Sequence, residues 1–175
     1  AAMTYVLNQI LGLSGENSLS DVVLAPMSGI TDQPFRAAVR RAGGGLVISE
    51  MVASHAMLTD VRAEMRKISS HLRKEVPVGL QIAGWDPEMM AEAASMAEQM
   101  GVNLIDINMG CPAKKVTGRA SGSALMREPK RVEAICEAVV RAVSVPVTIK
   151  TRLGWDDKSL NAPEIAQIAE QAGVK

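Results

Sequence analysis

The 175-residue sequence predicts an α/β fold built on a parallel sheet, and three observations support this. Short apolar runs alternate with stretches of helical periodicity, the helical stretches open with proline and close with glycine, and no hairpin signal interrupts the series.

Five runs read as strands: Val22-Val23-Leu24-Ala25, Leu46-Val47-Ile48-Ser49, Val78-Gly79-Leu80-Gln81, Leu104-Ile105-Asp106-Ile107 and Val147-Thr148-Ile149-Lys150. Their near-continuous apolar character suits strands covered on both faces, as in parallel sheets. Between them, Asp86-Pro87-Glu88 opens a helix running to Gly101, Glu128-Pro129 opens another, and Ala162-Pro163-Glu164 opens a third that stops at Gly173. Proline suits the first helical turn because its missing N–H has no partner there, and glycine suits the left-handed stop. In the helix after Pro129, residues Val132, Ile135, Cys136, Val139, Val140 and Val143 fall on one face, which places Cys136 in the core. Gly43-Gly44-Gly45 precedes a strand instead of opening a helix, so it reads as a helix stop and loop, not as a phosphate-binding fingerprint.

Two architectures accommodate such a series. A five-stranded doubly wound domain fits the length, whereas a (β/α)8 barrel needs on the order of 250 residues and would have only about its first five units here. The polar residues favour the barrel: Gln81, Asn108 and Lys150 lie at or just beyond the ends of three strands, and Ser28, Glu50 and Cys111 also follow strand ends. Functional groups contributed by several strand ends belong at a barrel mouth.

Composition limits the function classes. Nineteen basic and nineteen acidic residues give no net charge, so any nucleic-acid contact must be local. No run approaches the roughly 20 apolar residues that span a bilayer, and no secretory leader is evident. Two cysteines in unlike contexts fit reduced thiols and a cytoplasmic protein. His55 and His71 lack partners at metal-ligand spacing, so no metal site is expected.

The most informative stretch is Asp106-Ile107-Asn108-Met109-Gly110-Cys111-Pro112, at a strand end and ahead of a loop bearing Lys114, Lys115, Gly118, Arg119, Gly122 and Arg127. A cysteine between Gly110 and Pro112 can continue neither a helix nor a strand ladder, so it reads as a functional thiol. Lys150 at another strand end suits either a Schiff-base lysine or a cation facing an anionic cofactor, and also a solvated charge. The amide of Gln81 offers a donor and an acceptor to a heteroaromatic edge. Pro26-Met27-Ser28-Gly29 is either a ledge for a flat ligand or a plain βα turn.

Together these pieces resemble a family. Ala25 through Arg36 (Ala-Pro-Met-Ser-Gly-Ile-Thr-Asp-Gln-Pro-Phe-Arg), Ser49-Glu50-Met51, Gln81-Ile82-Ala83-Gly84, Asn108-Met109-Gly110-Cys111-Pro112, Gly122-Ser123-Ala124-Leu125-Met126 and Lys150-Thr151-Arg152-Leu153-Gly154-Trp155 are similar, in order and interval, to tRNA-dihydrouridine synthases of the bacterial nitrogen-regulation-like branch. The resemblance begins near residue 20. It implies residues 1–20 as a lead-in and 21–175 as the N-terminal part of an FMN-binding TIM barrel, with later strands, a phosphate-binding half and a helical tRNA-binding domain absent.

The resemblance further implies a cytoplasmic flavoprotein that reduces uridine in tRNA, with NADPH as electron donor, FMN passing hydride to C6 and Cys111 protonating C5. A positioned acid lowers the barrier because charge develops at C5 and O4, and an ordinary thiol is mostly protonated near neutral pH. Carried over by position, Pro26, Met27 and Ser28 lie against the flavin, Gln81 meets its ring edge and Lys150 sits near its reactive edge. Asn108 orients the uracil, Arg152 falls near the site, and Lys114, Lys115 and Arg119 meet phosphates flanking a base extruded from its stack. Competing expectations are another FMN barrel of the dihydroorotate dehydrogenase kind, an aldolase using Lys150, or a non-catalytic half barrel that self-associates through its open edge.

Overall fold

The computed structural model describes residues 3–20, 22–53, 63, 66 and 71–175, with side chains from residue 6 onward. His55 lies outside them. Among the described residues the sheet has four parallel strands in sequential order: β1 (Val47–Ala53), β2 (Val78–Ala83), β3 (Leu104–Met109) and β4 (Val147–Thr151). Gln81 pairs with Asp106, Asp106 with Thr148, and Asn108 with Lys150, so the polar residues of three strands align across the sheet.

The first expected strand departs from expectation. Val22–Ala25 makes only an isolated parallel bridge, Leu24 to Val47, held by Leu24 N–H to Leu46 C=O (2.9 Å) and Ile48 N–H to Leu24 C=O (3.3 Å). Its other side has no strand partner among the described residues, and Val22 and Val23 are 60% and 42% exposed. Apolar content alone therefore signalled a strand where one-sided pairing supports only a bridge.

The helices with both ends among the described residues are α1 (Met3–Leu11), α2 (Gln33–Arg41), α3 (Pro87–Gln99), the single turn α4 (Lys114–Thr117), α5 (Pro129–Ala142) and α6 (Ala162–Gln171). Three start where proline predicted. Asp32 caps α2 by accepting from Phe35 N–H at 3.0 Å, and Asp86 caps α3 by accepting from Met89 N–H at 2.9 Å. Helix α1, within the expected lead-in, was not anticipated.

Strand alternation divides the core between the two faces of the sheet. On the helix side, Leu80, Ile82, Ile105 and Ile107 join Met90, Ala94, Val132, Ile135, Cys136 and Val139 of α3 and α5. Cys136 is fully buried as expected, and burial pushes its thiol pKa up to about 12. On the opposite face Leu46, Ile48 and Leu104 form a smaller cluster covered by Leu7, Leu11 and Leu19. Gly79 fits between Ile48 and Leu104, where an added Cβ would lie 3.1 and 3.2 Å from their side chains. Above this apolar floor the same face turns polar.

Candidate active site

The polar half of that face is a chain of hydrogen bonds. Asp106 is 3% exposed and accepts from Gln81 Nε2 at 2.6 Å and Thr148 Oγ1 at 2.7 Å. Gln81 Oε1 accepts from Asn108 Nδ2 at 2.9 Å. Asn108 Oδ1 then accepts from the backbone N–H groups of Gly110 (3.1 Å) and Cys111 (2.9 Å). The second N–H of Asn108 points to Met51 Sδ at 3.5 Å, a weak acceptor. Burial raises the Asp106 carboxyl pKa above the ordinary carboxylate value, while the bonds from Gln81 and Thr148 and the charge of Lys150 oppose the rise.

The Cys111 segment is fixed on its other side too. Arg152 Nε donates to Gly110 C=O at 2.7 Å, and Ser123 N–H donates to Cys111 C=O at 3.0 Å. Gly122 permits this second contact: its φ is +61°, and a Cβ there would lie 2.5 Å from Cys111 O. The thiol is half-buried.

Across from Cys111, the turn after Pro26 is tied down as tightly. Met27 N–H donates to Thr31 Oγ1 at 2.9 Å, and Gly29 N–H donates to Glu50 Oε1 at 2.5 Å. Behind them the buried Arg36–Glu75 pair, 2.9 Å apart, extends a guanidinium N–H to Thr31 C=O.

These elements enclose a cavity of about 480 Å³ whose walls include Pro26, Met27, Ser28, Met51, Gln81, Asn108, Cys111, Lys115, Lys150 and Arg152. All five residues expected to hold a cofactor thus share one cavity with the expected acid and with Asn108, Lys115 and Arg152. Lys114 and Arg119 stand apart from it. Arg119 lines an adjoining hollow of about 410 Å³ with Glu50 and Lys115, and Lys114 is exposed on α4. Among the described residues no cluster of His, Cys, Asp and Glu could hold a metal ion, and no helix is long and apolar enough to cross a membrane.

A dihydrouridine synthase family model matches residues 23–175. The chain belongs to the dihydrouridine synthase family. Curated relatives agree: a probable tRNA-dihydrouridine synthase of Rhodobacter capsulatus is 57% identical over 154 residues, covering 88% of this chain and 48% of that protein. A probable tRNA-dihydrouridine synthase of Rickettsia bellii is 51% identical, covering 89% and 48%, and tRNA-dihydrouridine synthase B of Pseudomonas aeruginosa is 51% identical, covering 88% and 46%. The chain therefore spans about half the length of these relatives. Among solved structures, the carboxyl transferase domain from Rhizobium etli pyruvate carboxylase aligns with a TM-score of 0.56 at 19% identity, covering 87% of this chain and 25% of that one, a likeness of fold alone.

Within the dihydrouridine synthase match, sequence reasoning chose Gln81, Asn108 and Cys111 but missed Asp106, Thr148 and Met51. The signal for Asp106 and Thr148 was available. Asp106 and Asn108 are two apart on β3, Thr148 and Lys150 two apart on β4, so each pair shares a face in a period-2 strand. Met51 carries no such mark.

Proposed function

We propose that this chain is the N-terminal, flavin-facing portion of a TIM-barrel tRNA-dihydrouridine synthase, in which FMN and NADPH drive reduction of uridine to 5,6-dihydrouridine and Cys111 supplies the proton. The observation that carries the reading is the convergence of Pro26, Met27, Ser28, Gln81, Lys150 and Cys111 on one cavity. Its size lies within the roughly 300–1,000 Å³ of small-molecule sites.

The donor set suits a flat, anionic heteroaromatic group. Pro26 and Met27 offer apolar contact, Ser28 and the remaining N–H of Gln81 offer donors, and Lys150 and Arg152 offer positive charge. When bound, reduced FMN supplies the hydride for C6 of the uracil ring. The remaining chemistry belongs to the chain. Cys111 Sγ–H gives its proton to C5, so that the 5,6 double bond becomes a single bond with one hydrogen added at each carbon. Asn108 reaches the uracil with the N–H now resting on Met51 Sδ, since its other bonds hold the protein together. Lys115, which lines both the main cavity and the adjoining hollow, faces the phosphates of the extruded nucleotide, with Arg119 in that hollow and Lys114 exposed on α4. A cytoplasmic setting fits a tRNA substrate.

Two experiments test the reading. FMN titrated into the 175-residue chain should show saturable quenching of flavin fluorescence, weakened in Lys150→Met. Absence of saturable binding in both would withdraw the cofactor assignment from this chain and leave its family membership intact. In the complete enzyme, Cys111→Ala should slow uridine reduction by about 10²–10⁴-fold, the usual worth of a positioned general acid, and leave flavin reduction by NADPH unchanged. Equal loss of both half-reactions would refute the proton-donor role.

A further inference from the structure

We propose that Asp106 is a positioning residue for Cys111, acting through Gln81 and Asn108, and that its carboxylate is the terminal acceptor which, with the donor-only N–H groups of Gly110 and Cys111 at the other end, holds every hydrogen bond between them in one direction. The proposal rests on the reading of Cys111 as the acid only for its catalytic meaning; the positioning itself is a property of the chain.

A carboxamide has two ends of similar shape, one accepting and one donating, so its orientation must be imposed by a neighbour. An ionised carboxylate only accepts. Asp106 Oδ2, 2.6 Å from Gln81, therefore forces the amino end of that side chain toward itself and leaves Gln81 Oε1 facing Asn108. That oxygen in turn selects the amino end of Asn108 and leaves Asn108 Oδ1 facing the N–H groups of Gly110 and Cys111. Thr148 locks the start of the chain by donating to the other carboxylate oxygen at 2.7 Å.

Flipping either amide would set acceptor against acceptor on its Asp106 side and donor against donor on its Cys111 side, in a region that water barely reaches, since Gln81, Asp106 and Asn108 are 2%, 3% and 8% exposed. The end of the relay is the backbone that carries the thiol. Gly110 N–H and Cys111 N–H are both held by Asn108, Gly110 C=O by Arg152 and Cys111 C=O by Ser123 N–H, so both peptide donors and both carbonyls are satisfied. Freeing Asn108 removes two of these four restraints and lets Cys111 turn about its own backbone.

Amide hydrogen exchange on the 15N-labelled 175-residue chain, without flavin or RNA, tests this directly. Asp106→Leu should speed exchange at Gly110 and Cys111 about fivefold more than at Val139 in α5, the factor that follows from losing one net hydrogen bond over and above any general loss of stability. Asp106→Asn should restore protection, because the fixed N–H groups of Gly110 and Cys111 still orient Asn108 and Gln81 from the other end, so the new amide presents its oxygen to Gln81 and its amino group to Thr148 Oγ1. Unchanged exchange at Gly110 and Cys111 in the leucine variant, or failure of the asparagine variant to restore protection, would overturn the proposal.

Should Val139 lose as much protection as Gly110 and Cys111 in Asp106→Leu, the near-isosteric Thr148→Val serves instead. It should speed exchange at the same two amides by about threefold, a fraction of one net hydrogen bond, and no effect there would overturn the relay. Because exchange is read without turnover, it stands apart from the acid role: Cys111→Ala could fail to slow uridine reduction while the relay holds, and the reverse is equally distinguishable.

Discussion

The two faces of β2 and β3 are buried to nearly the same degree and are held by opposite means. Toward α3 and α5, Leu80, Ile82, Ile105 and Ile107 are fully buried in an apolar cluster where no single contact is directional. One residue along in each strand, Gln81 and Asp106 are almost equally buried, yet each needs particular partners at particular angles. The apolar face spreads its stabilisation over many small contacts, and the polar face concentrates it in a serial chain. A fault on the first face should lower stability while the site keeps its geometry; a fault on the second should disturb the site more than the fold.

The largest expected effect is on the apolar face. Ile107→Ala should cost about 2–5 kcal/mol, because the removed side-chain carbons leave a cavity that α3 and α5 can only partly close. Chemical denaturation followed by circular dichroism would measure it, with FMN affinity at low denaturant nearly unchanged. Asp106→Leu comes next. Stranding the Gln81 amide and the Thr148 hydroxyl should cost about 1–3 kcal/mol, with a disproportionate loss of order at Cys111. If Asp106→Leu proved more destabilising than Ile107→Ala, the division between the faces would fail.

A smaller effect is expected in the loop that closes over the thiol. Gly122→Ala puts a methyl group against Cys111 O at a positive φ, and relief requires the loop to move away from Cys111 C=O. A loss of about 1 kcal/mol or somewhat more is expected, together with faster alkylation of Cys111. Cys136 should stay inert throughout, since its buried thiol resists ionisation.

The same contrast explains what the sequence revealed. Helices announced themselves through Pro87, Pro129 and Pro163, because helix starts are local and their punctuation is unambiguous. The cavity residues at strand ends were legible because polar side chains there interrupt apolar runs. The relay was harder to see. Asp106 sits inside an apolar strand, and its partners Gln81 and Thr148 are 25 and 42 residues away, joined only by strand register. The run at Val22–Ala25 misled for the complementary reason: its residues have strand character, but an extended ladder needs neighbours that composition cannot report. The contribution of Leu7 and Leu11 to the apolar floor was hidden because α1 starts without a capping signal and meets the sheet through distant contacts.

The smallest effect expected is a pH dependence that isolates the cost of keeping Asp106 charged. Burial raises its carboxyl pKa in the folded chain above that of the unfolded chain. A group shifted in that direction favours the fold below its unfolded pKa, and this contribution is lost as pH rises through its folded pKa. Ionised Asp106 is therefore a burden at neutral pH that lightens on acidification, and Asp106→Asn lacks it at every pH. The stability difference between the two proteins should accordingly move in favour of the wild type as pH is lowered from neutral into the carboxylate range. Parallel denaturation curves at several pH values would give this difference, and the shared titration of the other carboxylates cancels between the two. A difference moving the opposite way would mean that the hydrogen bonds from Gln81 and Thr148 outweigh desolvation, and that the relay begins from a carboxylate the fold prefers to keep ionised.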